Sequence, residues 1–292
     1  MSEFSTGIVD SMARLMSVHA HPDDEASKGA PTVARYVDNG HAASLICCTG
    51  GEEGDIHNPA MDRPEIRSNL PQVRADELAR SVKAIGFDEC VMLGYRDSGM
   101  EGTEPNNHPD CFWQADLDEA TGRLVAEIRR FKPEVVLTYS DDQQGYRHPD
   151  HLRVHDISVL AYDRAGDPEW YPEAGDPFEP LKLYYSTWSR ARLTSWHAKY
   201  QELGLESPYD EKWFERPSSD HRITTKIDIT GYWRARQESL LAHATQIDPN
   251  EKFWFGLPDD DAVAAYPYED FILGHSRVGV EMDETDLFAR IV

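Results

Sequence analysis

Within the first 165 residues, short apolar runs at 15–18, 43–48, 89–93 and 135–139 alternate with longer stretches of helical spacing. Each run has the length of a buried strand and is too short for a buried helix. The stretch 26–37 stops at Asn39-Gly40 and the stretch 72–85 stops at Gly86, both favourable helix ends. The stretch 117–131 sets Leu117, Leu124, Ile128 and Phe131 on a helical period and stops ahead of Pro133. This alternation predicts βαβ units, and so an α/β fold with a mostly parallel sheet and helices on both faces.

A further helix is expected from 151 through 165. The segment 166–180, rich in Pro, Gly and acid, reads as a linker or long loop. It divides the chain into a sheet-forming catalytic unit, 1–165, and a smaller C-terminal α/β portion, 166–292, expected to complete a substrate pocket. In that portion 181–187 and 224–229 read as strands, 191–203 and 233–244 as helices, and 206–221 as irregular. Beyond them Phe253-Trp254-Phe255 and Tyr266-Pro267-Tyr268 stand without a legible element.

With 53 acidic residues against 29 basic, the chain carries a formal net charge of −24. Such a surface repels phosphate backbones and anionic membranes, and no basic run offsets it. The expected partner is a small molecule, with no nucleic acid and no membrane. No apolar stretch approaches the ~20 residues of a membrane span, and residues 1–14 lack the apolar core of a secretion signal. Cys47, Cys48, Cys90 and Cys111 form no C-x-x-C pair. Reduced thiols in a cytoplasmic protein are the expectation.

In an open parallel sheet, ligands gather outside the carboxyl ends of the strands. His19-Ala20-His21-Pro22-Asp23-Asp24-Glu25 follows the first run. A dinucleotide site would place glycines here; this chain offers imidazole and carboxylate. If a helix starts near Pro22, His21 and Asp24 share one face and can converge on one ion, leaving Asp23 free to work on water. Acids that only complement a helix N-terminus are the alternative. The fourth run leads into Ser140-Asp141-Asp142-Gln143-Gln144-Gly145-Tyr146-Arg147-His148-Pro149-Asp150-His151. A capped turn with surface histidines would explain this cluster alone, but two such clusters at strand ends of one sheet point to a metal. Two histidines and a carboxylate suit catalytic zinc and equally ferrous iron. A bound divalent ion lowers the pKa of its water from ~15.7 to about 7, and Asp23 is the candidate general base beside it.

The stretches His21-Pro22-Asp23-Asp24-Glu25 and His148-Pro149-Asp150-His151 resemble the LmbE-like (PIG-L) metal-dependent N-deacetylases, Rossmann-like enzymes acting on N-acylated glucosamine derivatives. Thr49-Gly50-Gly51-Glu52-Glu53-Gly54 is similar to that family's T-x-G-E-x-G loop. The resemblance implies His21, Asp24 and His151 as ligands of zinc, or of ferrous iron, and Asp23 as general base. It implies that His148 stabilises or protonates the tetrahedral intermediate, that Asp150 orients its ring, and that Tyr146 polarises the substrate carbonyl. Together these roles cover what amide hydrolysis requires: a nucleophile, oxyanion stabilisation and a proton for the departing amine.

Within the family the likeness is closer to the actinobacterial mycothiol enzymes. One branch deacetylates N-acetylglucosaminyl-inositol. The other cleaves the amide between the modified cysteine and glucosamine in mycothiol S-conjugates, a detoxification that releases glucosaminyl-inositol and an N-acetylcysteine S-conjugate. Asp23-Asp24-Glu25-Ala26-Ser27-Lys28-Gly29-Ala30 looks like the amidase branch, as do Asp55-Ile56, Asn58-Pro59-Ala60-Met61 and Ser276-Arg277-Val278. Pro31 departs from the small residue expected there. A thiol-sugar substrate is thereby implied, with the deacetylase as the alternative. A non-catalytic sugar-binding protein is the rival of another class, and it would need neither Asp23 nor His148.

Lys28 lies one helical turn beyond Asp24, and the amidase likeness implies a substrate contact; a solvated helix lysine is the alternative. Asp97 and Met100, in Arg96-Asp97-Ser98-Gly99-Met100, follow the third run, where the family places a carboxylate for a substrate hydroxyl. An aspartate bonding its own turn explains Asp97 equally. Arg74 reads as a sugar contact or a surface charge. His243 and Gln246 resemble a family segment near the pocket, against a plain helix-end histidine. His19 and His155 are expected to pack, Cys47 and Cys48 to be buried in a strand, and the aromatic run at 253–255 to join the core, with a pocket wall as the alternative.

Overall fold

The computed structural model describes residues 12–143, 145–280 and 282–291. The stretch read as lacking a signal core lies, up to Ser11, outside these residues. Among the described residues no helix is long and apolar enough to cross a membrane.

Seven strands form one sheet: β1 (Arg14–His19), β2 (Ala42–Thr49), β3 (Glu89–Tyr95), β4 (Val135–Tyr139), β5 (Lys182–Thr187), β6 (Thr225–Asp228) and β7 (Tyr268–Ser276). Their order is β3-β2-β1-β4-β5-β7-β6. The first five run parallel, and β7 is antiparallel to both β5 and β6. The apolar runs are strands because both faces of the sheet are covered, which lets every position be hydrophobic. Met16 and Val18 pack with Leu124, Ile128, Val154 and Ile157 from helices Leu117–Phe131 and Pro149–Arg164. Leu15 points the other way, to Val33, Tyr36, Leu78 and Ile85 from helices Ala30–Asp38 and Leu70–Ile85. Asp116 caps the helix Leu117–Phe131, accepting from Asp118 N and Glu119 N at 2.9 Å each. A cap of this kind contributes about 1 kcal/mol.

Two departures from the sequence reading bear on the site. The helix expected over 26–37 is two helices, Asp24–Ser27 and Ala30–Asp38. Gly29 separates them at φ 101°, a conformation glycine adopts without steric cost. The second helix starts on the buried carboxylate of Glu269, which accepts from Thr32 N at 3.1 Å and Thr32 Oγ1 at 2.6 Å. Glu269 belongs to β7, a strand that the sequence reading does not place. Its acids hide it: Glu269 is turned to that helix start, and Asp270 accepts from Ser189 Oγ at 2.5 Å and Tyr266 OH at 2.8 Å.

Lys182 of β5 is fully buried and ion-paired with Glu284, Nζ to Oε1 2.8 Å. The other carboxylate oxygen accepts from Tyr184 OH at 2.6 Å and Thr225 Oγ1 at 3.2 Å. Breaking a buried pair from one side strands a charge, so Glu284→Leu should cost about 3–5 kcal/mol in denaturant unfolding. Adding Lys182→Met should recover most of that loss. A single variant as stable as the parent would show that Lys182 is not dependent on this partner.

Candidate active site

The strand order reverses its direction of growth between β1 and β4, and a crevice opens beyond the carboxyl ends of these neighbours. His21 comes two residues after β1, and His151 lies in the first turn of the helix Pro149–Arg164 after β4. Helical spacing is not what joins His21 to Asp24. The helix begins at Asp24, not near Pro22, and Asp23 stands before it at φ 119°. A turn closes instead, with Asp24 N donating to His21 O at 3.3 Å and His21 N donating to Asp24 Oδ2 at 3.0 Å.

Asp24 Oδ2 lies 3.3 Å from His21 Nδ1 and 3.3 Å from His151 Nε2. One donor atom from each of these three buried residues falls within 4.8 Å of the others. Tetrahedral ligands ~2.0–2.1 Å from zinc stand about 3.3 Å apart, so the donor set fits such an ion. The electrostatics fit too. Burial pulls the His151 imidazole down to about 3, leaving a neutral ring with a free lone pair. Burial opposes charge on Asp24, but Lys28 and the two histidines outweigh it and hold the carboxyl well below its usual range. Around His21, burial likewise opposes charge, yet bonds to Asp150, Asp24 and Asp97 raise the imidazole well above its usual range. Three carboxylates around one ring call for positive charge in their midst.

Asp150 meets His148 through its backbone, while its carboxylate turns elsewhere. Its carboxylate reaches His21, Oδ2 to Nε2 3.1 Å, and is fixed by Ser98 N at 2.9 Å and by Ser98 Oγ. His148 is held by the backbone of Asp150: it caps the helix, its Nδ1 accepting from Asp150 N at 3.2 Å. The neutral His148 ring therefore carries its proton on Nε2. Burial, then the neighbouring His21, pull its pKa down and keep it neutral. A carboxylate behind a metal-binding imidazole fixes its tautomer and orientation. Asp150→Asn should thus weaken zinc binding about 10–100-fold in a chelator competition. Unchanged affinity with reduced turnover would return Asp150 to the service of His148.

Arg74 is no surface charge. It is buried, with Nη1 donating to Gly51 O at 2.6 Å and Nη2 to Pro22 O at 2.5 Å and Asp23 Oδ2 at 2.9 Å. A Cβ at Gly51 or Gly54 would collide with its guanidinium, which gives the glycines of the 49–54 loop a physical purpose. Asp23 N donates to Glu25 Oε2 at 3.0 Å, and Glu25 is fixed by His243 Nε2 at 2.5 Å and by Ser81 Oγ. His243 therefore sits behind the site, fully buried, and does not line the cavity. Burial raises the Asp23 carboxyl above its usual range against the pull of Arg74.

A cavity of about 1310 Å³ opens over these residues. Lys28, Asp97, Met100, Tyr146 and Gln246 all line it. Lys28 Nζ is 2.6 Å from Asp24 Oδ1, so it serves the donor set as well as facing the cavity. Asp97 bonds its own turn, Oδ1 accepting from Gly99 N at 2.8 Å, and the same oxygen lies 3.5 Å from His21 Nε2. Gln246 Nε2 donates to Asp55 O at 3.0 Å, and exposed Tyr146 stands with its ring centroid 5.4 Å from that of His151. Tyr139, unmarked in the sequence reading, stacks on His151 with ring centroids 4.4 Å apart and accepts from Ala20 N at 3.0 Å. Its place as the last residue of β4 was the available signal. His19 bonds Ser17 Oγ at 2.8 Å and His155 bonds Tyr139 O at 3.1 Å, both as packing residues. Phe253 and Trp254 pack against the core as expected, Phe253 beside Trp196 and Tyr209 and Trp254 beside Leu240 and Ile247, and both also face the cavity.

Residues 16–162 match the family model PIG-L, described as GlcNAc-PI de-N-acetylase. Over 289 residues the chain is 42% identical to a mycothiol S-conjugate amidase of Streptomyces coelicolor, covering 95% of this chain and 97% of that one. It is 38% identical to a 1D-myo-inositol 2-acetamido-2-deoxy-alpha-D-glucopyranoside deacetylase of Streptomyces avermitilis, covering 94% and 96%. Among solved structures, N,N'-diacetylchitobiose deacetylase from Pyrococcus horikoshii is similar with a TM-score of 0.60 at 14% identity, over 89% of this chain and 83% of that one. That last likeness concerns the fold alone.

Proposed function

Because the chain belongs to the PIG-L family, we propose that it is a metal-dependent amidase of the cytoplasm that opens the cysteinyl-glucosamine amide of mycothiol S-conjugates. The products are glucosaminyl-inositol and an N-acetylcysteine S-conjugate, a detoxification step. The observation that carries this reading is the convergence of His21, Asp24 and His151 beside Asp23 and His148 in one cavity.

His21, Asp24 and His151 would hold the cation, zinc in this reading, with ferrous iron suited to the same donors. When bound, such an ion supplies Lewis acidity and a water acidified to a pKa of about 7. Asp23 takes the proton of the attacking water; Arg74 aims its carboxylate, and its raised pKa suits a base that must later give the proton up. His148, with its proton on Nε2, donates to the oxyanion that forms at the scissile carbonyl. Tyr146 OH is a second donor from the cavity mouth. Asp23 then returns its proton to the departing amine nitrogen.

The size of the cavity supports a substrate with bulk on both sides of the amide. At about 1310 Å³ it exceeds the ~300–1,000 Å³ usual for small-molecule sites. The relatives named as deacetylases support the second reading, removal of acetyl from N-acetylglucosaminyl-inositol. Both substrates should be assayed side by side. The expectation is a higher kcat/KM for the S-conjugate, and a strong preference for the acetyl compound would overturn the amidase reading.

A further inference from the structure

The donor set stands at the ends of β1 and β4, in the middle of the sheet. The carboxyl ends of β2 and β3 lie to one side of it and that of β5 to the other. The two sides present different chemistry. On the β2 and β3 side the cavity is walled by Glu53, Asp55, Arg74 and Asp97. On the β5 side it is walled by the aromatic group Trp188, Trp213, Phe253 and Trp254, together with Arg190, Arg216 and Asp220. The segment that carries Gln246 spans the two, bonding Asp55 O at one end and stacking Phe253 on Trp188 at the other.

The rings of the aromatic wall pack on one another. Trp188 and Phe253 are parallel to within 4° with centroids 5.5 Å apart, and Trp254 stands edge-on to Phe253 at 4.7 Å. Trp188 Nε1 donates to Ser27 O at 3.3 Å, which ties the wall to the short helix that begins with Asp24. Behind it lie Arg192 and Arg236, both buried, with guanidinium carbons 4.6 Å and 5.2 Å from the Trp188 ring centroid. Arg192 Nε and Nη2 and Arg236 Nη1 meet no acceptor among the described residues, and both guanidiniums lie over ring faces. Burying two guanidiniums to brace indoles is costly unless the indoles must keep their place. A wall set before binding loses little freedom when a flat apolar group docks on it.

A polyol needs hydrogen-bonding groups, and a thioether substituent needs apolar surface. With glucosaminyl-inositol on the β2 and β3 side, where the family resemblance puts Arg74 and Asp97, the geometry points to Trp188, Phe253 and Trp254 as the subsite that selects aromatic S-substituents of the conjugate. This assignment rests on the amidase reading, because the acetyl compound has nothing to place against the wall.

The test uses the S-benzyl and S-methyl conjugates of mycothiol and compares their kcat/KM values in the parent, Trp254→Ala and Phe253→Leu. The benzyl-to-methyl ratio should fall about tenfold in Trp254→Ala, which removes a whole stacking surface. Phe253→Leu keeps an apolar side chain in place, and the ratio should fall in the same direction with little risk to folding. A ratio unchanged within about twofold in both variants overturns the subsite. Hydrolysis of N-acetylglucosaminyl-inositol by a parent enzyme that cleaves neither conjugate would overturn the amidase reading itself, and the subsite with it.

Discussion

Asp23→Asn should bind metal and substrate as the parent does and turn over roughly a hundred to ten thousand times more slowly, the usual contribution of a positioned base. The substitution is chosen for what it leaves alone. Asn has the same shape and offers Arg74 an oxygen where Asp23 Oδ2 now accepts at 2.9 Å. It also belongs, with Asp and His, to the side chains enriched at positive φ, which suits the 119° of this position. Asp23→Ala would lose the same base but also leave a buried guanidinium short of a partner and put a β-carbon with no local hydrogen bond at a strained φ. A slow Ala variant would therefore not separate chemistry from folding. Metal content and thermal midpoint should be measured alongside kcat. Near-parental kcat would remove Asp23 from the base role, and loss of metal would move it into the donor set.

The inner strands β1, β2 and β4 were legible because they are buried on both faces and so are continuous apolar runs bounded by turn residues; β4 matches its expected bounds, Val135–Tyr139. The same rule explains why β7 was not. Its first half buries two carboxylates, Glu269 and Asp270, whose partners Thr32, Ser189 and Tyr266 are distant in sequence or on another element. Charge in a strand looks like a loop until its partner is known. The site divides the same way. His21, Asp24 and His151 are each within a short motif, and their convergence required only that β1 and β4 be neighbours. Arg74, Glu25 with His243, and Asp150 with Ser98 act across gaps of many residues, and sequence spacing says nothing about which carboxylate reaches which ring. At Asp150 the side chain and the backbone N–H serve different histidines, His21 and His148, and a one-letter code cannot distinguish the two.

Removing the metal should abolish turnover, and His151→Ala should make the loss permanent. After dialysis against a chelator, the parent is expected to regain activity on adding zinc or ferrous iron, because His21, Asp24 and His151 are buried, already converge and need little rearrangement. In His151→Ala one of three donors is gone. The loss of affinity should exceed the ~10–100-fold assigned to the outer carboxylate Asp150, so that bound metal per chain drops below about a tenth at concentrations that saturate the parent. The two losses together rank the residues by their distance from the ion. A second readout does not depend on catalysis. An ion that binds only the folded chain raises its stability by about 2.7 kcal/mol at a hundred times its dissociation constant. Zinc should therefore lift the thermal midpoint of the stripped parent, and that of His151→Ala should not move. The lost stacking of Tyr139 on His151 lowers the variant's own baseline, so the comparison is the zinc-dependent shift within each protein. An equal shift in both would mean that zinc binds elsewhere on this acidic chain, and the pairing of His21 with His151 across β1 and β4 would lose its purpose.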